Sequence, residues 1–154
     1  MVADDGMILV LTPAQMAAIT AAAAAAWPAE ACGLLIGHGT RRLVVTREVP
    51  APNLLAEIPG RFELDPRVRL REEKACRGSN DRIIGHWHSH PGGVAEPSAT
   101  DLAMAFEPDL AWLIVAPPTT CAAAFRPEPD AQRFRRLTLV IAQKKPCTPP
   151  SFPT

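Results

Sequence analysis

The chain has 154 residues, enough to bury one hydrophobic core without disulfides and too few for two ordinary domains. Sixteen lysines and arginines balance sixteen aspartates and glutamates, so charge gives no case for nucleic acid or a membrane as partner. The four cysteines, at 32, 76, 121 and 147, form no CxxC pair; with no signal peptide and no long apolar span, a cytoplasmic location is expected.

In chain order, residues 7–11 read as a strand, and Thr12-Pro13 as a cap with proline at the first helical position. The helix it opens runs to about Trp27; the alanine run inside it favours helix and is too short to span a bilayer. Strands are expected at 32–36 and 42–49, joined by a hairpin turn over residues 37–40 with His38 as a turn residue. Cys32 and Cys121, in apolar strands, are expected as small buried hydrophobes. Residues 50–60 lack periodicity and read as a loop, and Asp65-Pro66 opens a second helix that ends by residues 78–80. A strand over 82–88 runs into the breaker Pro91-Gly92-Gly93, and Ser98 caps a helix predicted over 99–106. Three more strands are expected at 110–116, 120–126 and 137–142. This is an α/β chain, one domain over 1–143, followed at 144–154 by a proline-rich tail expected to be disordered.

The chemistry concentrates between residues 86 and 101. His88 and His90 lie two apart at the end of a strand, so both imidazoles leave the same face, and Trp87 between them points to the opposite one. Asp101 would sit on the first turn of the next helix, aimed back at the strand end. Two nitrogens and a carboxylate make three ligands for one zinc, with the fourth position left to water as in a catalytic site; a structural site would be closed, usually by cysteines. Each residue singly has a plainer reading, an exposed histidine face or a helix-capping pair, and their coincidence within fourteen residues is what favours a metal. A serine-nucleophile mechanism needs a base and an orienting group beside Ser98, and Ser98 stands beside the metal ligands instead. From spacing, Glu30, Glu48, Glu63 and Glu96 all remain candidates for a catalytic carboxylate. Read by itself, Glu30 is a helix-terminal charge.

His88-Ser89-His90-Pro91, a gap closed by Pro97, and Ser98-Ala99-Thr100-Asp101 resemble the JAMM motif of the MPN (Mov34/PAD-1) metalloproteases. Glu30, in a stretch running to Gly37, matches the glutamate that the family carries on an earlier segment. Gly85-His86-Trp87, Asn53 and Arg61-Phe62 fit the small bacterial branch, and the resemblance covers about residues 9–141. It implies a single MPN-type (cytidine-deaminase-like) domain, with a mixed curved β-sheet flanked by helices.

It also implies roles: His88, His90 and Asp101 as zinc ligands, Glu30 as the general base, and Ser98 as a donor to the oxyanion. His86 becomes a neighbour of the metal and not a ligand. The implied activity is hydrolysis of an amide or isopeptide bond after the terminal Gly-Gly of a ubiquitin-like sulfur-carrier protein, or of an adduct on that terminus. An extended tail of this kind would dock in a groove beside the zinc, often by strand addition to a sheet edge, between the loops 51–61 and 92–97. A homodimer is left open as an assembly. Two other readings stand beside it: a metal-free MPN scaffold that only binds partners, and a peptidase for cell-wall or phage-tail peptides.

Overall fold

The computed structural model describes residues 6–117, 121–130 and 132–143. The tail expected at 144–154, and with it Cys147, lies outside the described residues. The element order is β1 (Ile8–Leu11), α1 (Pro13–Ala26), β2 (Cys32–His38), β3 (Arg42–Ala51), α2 (Pro66–Ala75), β4 (Arg82–Ser89), α3 (Ala99–Ala103), β5 (Ala111–Ala116), β6 (Cys121–Pro127) and β7 (Phe134–Ile141).

The seven strands close into a ring in the order β1-β3-β2-β4-β5-β6-β7. The pairing is mixed. β1 runs parallel to β3 and β7, β4 runs parallel to β5, and the other neighbours are antiparallel. The expected mixed curved sheet is therefore present, with its curvature carried to closure. Every strand has a neighbour on both sides, but β1 pairs only with Arg42, Leu43 and Val44 of β3, so the remainder of β3 has β2 as its one strand partner.

The helices are seated by local chemistry. The Thr12 hydroxyl accepts from the Gln15 N–H while the Gln15 side chain accepts from the Thr12 N–H, a reciprocal cap with Pro13 at the first position. The Gln15 amide then reaches the Val45 carbonyl, and Ile19 and Ala23 pack on the core. Asp65 caps α2 by accepting from the Arg67 N–H. Arg69 on α2 makes a two-point ion pair with Glu107 at 2.5 and 2.7 Å, tying α2 to the chain that follows α3.

Four expectations need correction. The hairpin turn starts later than expected, because β2 continues through Gly37 and His38 across a register shift. His38 is thus the exposed last residue of a strand, with Nδ1 3.2 Å from Asp81 Oδ1. α3 stops at Ala103 and does not reach residue 106: Ala105 is drawn into the core and Pro108 disfavours helix at the residue before it. β7 starts at Phe134, three residues early, where an arginine-rich stretch hid the alternation. Cys121 is exposed at the open end of β6, whereas Cys32 is buried as expected. No helix among the described residues is long and apolar enough to cross a membrane.

The core lies on the face of β4 that Trp87 occupies, packed with Leu9, Leu11, Ile19, Leu35 and Leu113. Trp87 requires a glycine across the ladder. Gly33 is its register partner, and a Cβ there would run into both the indole and the Val49 carbonyl. Gly33→Ala is therefore expected to cost about 1–3 kcal/mol, read as a lower midpoint in denaturant unfolding.

Candidate active site

Register brings the site together. β2 pairs with β4 so that Cys32 lies opposite His88. The pairing continues one step beyond β2: the Ser89 N–H donates to the Ala31 carbonyl at 3.0 Å, and the Ser89 hydroxyl accepts from the Ala31 N–H at 2.8 Å. Glu30 is thereby placed against the strand end that carries both histidines, although it is 58 residues away in sequence.

His88 and His90 leave β4 on the face opposite Trp87, as alternation requires. Their Nε2 atoms lie 3.0 Å apart. Asp101 comes up from the first turn of α3 with its carboxylate 3.3 Å from His88 Nε2 and 3.1 Å from His90 Nε2. Ser98 and Asp101 also form the expected helix cap: the Ser98 N–H donates to Asp101 Oδ2 at 2.9 Å, and the Asp101 N–H donates to the Ser98 hydroxyl at 3.0 Å. Capping and convergence on the imidazoles are thus the same geometry. Because the Ser98 oxygen accepts in the cap, its own proton is left to donate.

Two carboxylates approach the histidine pair. Glu30, His88 and His90 form a group close enough to hold one ion, with ligand atoms all within 4.8 Å of one another. Asp101 nevertheless lies nearer: Glu30 Oε1 stands 4.0 Å from each Nε2. A four-coordinate zinc with bonds of about 2.0–2.2 Å has ligand–ligand edges of about 3.3 Å. The His88, His90 and Asp101 spacings match that edge, and the Glu30 spacing exceeds it, so the residues fit a zinc with Glu30 just outside its ligand sphere. His90 adds a further sign of fit. Its Nδ1 lies 2.9 Å from the Val94 carbonyl, which can only accept, so Nδ1 carries a proton and the neutral ring presents its Nε2 lone pair to a metal.

Electrostatics separate the two carboxylates. Burial by itself would raise the Asp101 pKa, but hydrogen bonds from His88 and His90 outweigh it and hold the group well below the usual carboxylate range. Burial pushes the Glu30 carboxyl up to about 7; His90 opposes the shift and the charge of Asp101 adds to it. Glu30 Oε2 and His88 Nδ1 are buried without a hydrogen-bond partner. Burial lowers the pKa of His88. For His90, hydrogen bonds to Asp101 and the Val94 carbonyl overcome burial and raise it. One imidazole is thus held neutral and the other is drawn towards charge by its anionic neighbour.

The cleft above these groups has a volume of about 380 Å³ and is lined by Glu30, His90, Ser98, Gly60, Gly92 and Val94, among others. Both loops expected to wall it contribute, the first through Pro59 and Gly60, the second through Gly92 and Val94. Glu63 and Glu96 are exposed, and Glu63 lines a different cavity. His86 shares the face of His88 but sits 6.4 Å away between ring centroids, edge-on to Trp112 at 4.3 Å, and lines that second cavity of about 270 Å³.

Two residues received no role from sequence. Phe62 stacks on His88 at 4.4 Å and 19°, covering the flank of that imidazole. It is carried by an aperiodic loop, so no pattern marked its direction. Ser89, between the two histidines, is fully buried, and nothing in its local sequence reveals Ala31 as its partner.

The model for prokaryotic homologs of the JAB domain matches residues 12–140. The chain is 35% identical over 114 residues to a desampylase from Haloferax volcanii, covering 74% of this chain and 79% of that protein. It is 32% identical over 110 residues to a CysO-cysteine peptidase from Mycobacterium tuberculosis, covering 71% and 73% respectively. The solution structure of a protein from Desulfitobacterium hafniense superposes with a TM-score of 0.78 at 34% identity, covering 90% of this chain and 94% of that one. The chain belongs to the prokaryotic JAB family, a small member of the JAMM/MPN hydrolases.

Proposed function

We propose that the protein is a zinc-dependent peptidase in which His88, His90 and Asp101 hold the metal, Glu30 moves the proton and Ser98 receives the oxyanion. The observation that carries this reading is the triangle of three ligand atoms at 3.0–3.3 Å with a second buried carboxylate 4.0 Å from both imidazoles. A metal-free scaffold would have no need for a buried cluster of this composition. A zinc ion held here supplies Lewis-acid polarisation of a carbonyl and makes a water molecule more acidic.

The side chains supply the rest. Glu30 lines the cleft with one oxygen unpartnered and stands 4.0 Å from both imidazoles, within reach of a water held beside them, so its carboxylate is placed to take a proton and release it again. The proton leaves the attacking water for Glu30 and passes from Glu30 to the departing amine, so the carboxylate is restored at the end of each turnover. The Ser98 hydroxyl, with its oxygen engaged by the Asp101 N–H, donates its proton in a hydrogen bond to the oxygen that gains charge. Phe62 keeps one flank of His88 dry, and the His90 ring is fixed by Val94.

The substrate we propose is the amide just beyond the terminal Gly-Gly of a ubiquitin-like sulfur carrier, with cysteine or a short peptide leaving. Two supports are independent. The relatives include a CysO-cysteine peptidase and a desampylase. Gly60 and Gly92 add no side chains to the walls of the cleft, which leaves room for an extended tail to reach Glu30 and His90.

Three outcomes are expected. Elemental analysis should give about one zinc per wild-type chain and a clear loss for His88→Ala and for Asp101→Ala; full stoichiometry in either variant would break the ligand assignment. Glu30→Gln should keep the zinc and lower kcat by about a hundred- to ten-thousandfold, and loss of metal instead would make Glu30 a ligand. Mass spectrometry of a sulfur carrier extended by one cysteine after its glycines should show release of the cysteine. An intact adduct after long incubation with zinc-loaded enzyme would remove this substrate and leave the hydrolase assignment standing.

A further inference from the structure

Asn53 occupies an unusual position in the hydrogen bonding around the site. A side-chain amide offers two donors and two acceptor lone pairs. Asn53 uses all four, and every partner is main chain. Its Nδ2 donates to the Glu30 carbonyl at 2.9 Å and to the Arg61 carbonyl at 3.2 Å. Its Oδ1 accepts from the N–H groups of Leu55 at 2.9 Å and Glu63 at 3.0 Å. The main chain on either side of the loop is closed as well: the Leu54 N–H donates to the Glu63 carbonyl, and the Asp65 N–H donates to the Pro52 carbonyl. One planar amide thus joins the backbone of Glu30 to both flanks of Phe62, whose ring covers His88.

The neighbouring peptide group is held from the other direction. The Ala31 N–H donates to the Ser89 hydroxyl, and the Ala31 carbonyl accepts from the Ser89 N–H. Ser89 itself lies between the two histidines. The Glu30–Ala31 junction is therefore gripped by Asn53 from the loop and by Ser89 from the strand carrying His88 and His90. Meanwhile the Glu30 carboxyl has a buried oxygen with no partner of its own. Its place relative to the imidazoles is set through its backbone.

We infer that Asn53 is a positioning residue for Glu30: it fixes where the proton-transferring carboxylate stands relative to His88 and His90 without touching the reacting atoms. The inference rests on Glu30 being the proton-transfer group. Asparagine is singled out by chemistry. Aspartate has the same shape and keeps both accepted bonds, and so the loop turn, but has no N–H to give the Glu30 carbonyl and would face it oxygen to oxygen.

Asn53→Asp in the zinc-loaded full chain tests this, with the cysteine-extended sulfur carrier as probe. The variant is expected to keep its zinc and its cooperative unfolding while kcat falls about ten- to a hundredfold with KM unchanged, the size of loss that a displaced catalytic group produces. In a Glu30→Gln background the same substitution should cost nothing further, because a residue acting through Glu30 has nothing left to position. Wild-type kcat in Asn53→Asp, or a full additional loss in the Glu30→Gln background, overturns the inference. Should Asn53→Asp fail to fold, Asn53→Ala is run through the same cycle and judged in the same way. Hydrogen exchange followed by NMR gives a readout independent of turnover. In the wild type the Asn53 side-chain amide protons should exchange slowly, and the Glu30–Ala31 backbone should lose protection in the variant. If the wild type leaves the carrier uncleaved, the substrate reading fails and exchange decides: slow Asn53 protons and lost protection uphold the positioning, and free exchange overturns it.

Discussion

The antiparallel pairing of β2 with β4 is the constraint on which the site depends. It runs from Gly37 opposite Arg82 to Cys32 opposite His88, and the Ala31–Ser89 hydrogen bonds extend it past the end of β2. A slip of one residue would turn every side chain of β4 to the other face, sending the imidazoles into the core and Trp87 into the cleft. Trp87 prevents that slip. It is fully buried among β1, α1 and β5 residues, and an aromatic of its size removes about 150–250 Å² from water, about 4–6 kcal/mol by area. The same alternation that places this indole in the core points His86 and His88 the other way. Stability and chemistry are thus two faces of one strand.

Charge is arranged around that frame with little dilution. Glu30, Asp101 and His88 are all buried, and the electrostatic partners of the two carboxylates are each other, the two histidines and the Ser98 amide. Two carboxylates close together cannot both ionise cheaply in such a place. Asp101, hydrogen-bonded to both imidazoles, keeps its charge, and Glu30, one step further out with an unpartnered oxygen, is pushed towards the proton. In the mechanism we propose, that division separates a ligand from a base. It also explains the composition of the cluster, since a divalent cation between the imidazoles would offset the negative charge that burial makes costly.

The surroundings limit how far these groups can move. Phe62 lies flat on His88, the His90 ring is tied to Val94, and the Ser98–Asp101 cap fixes the carboxylate to the start of a short helix. The Arg69–Glu107 pair, which lines the second cavity, ties α2 to the segment after α3. Loops at the strand ends, through Pro59, Gly60, Pro91 and Gly92, wall the cleft beside these groups.

Residue type and local spacing made part of this protein legible from sequence. The i, i+2 histidines on a strand, the proline–glycine break and the Ser98–Asp101 cap are short-range patterns whose physics is complete within a few residues, so strand, turn and helix start could be read and three ligand candidates named. The end of α3 and the start of β7 were misjudged because a core contact at Ala105 and an arginine-rich strand override local preference. Cys121 is exposed as the first residue of β6, whose buried positions begin at Ala123. For Glu30 the residues left four glutamates in competition, and only the family resemblance singled it out. Its position depends on a ladder between segments 58 residues apart, which places this glutamate 4.0 Å from both imidazoles and leaves Glu63 and Glu96 in solvent. Tertiary structure alone decided the contacts of Asn53, Phe62 and Ser89, because a side chain's hydrogen-bond and ring partners are chosen by folding and not by its neighbours in the chain.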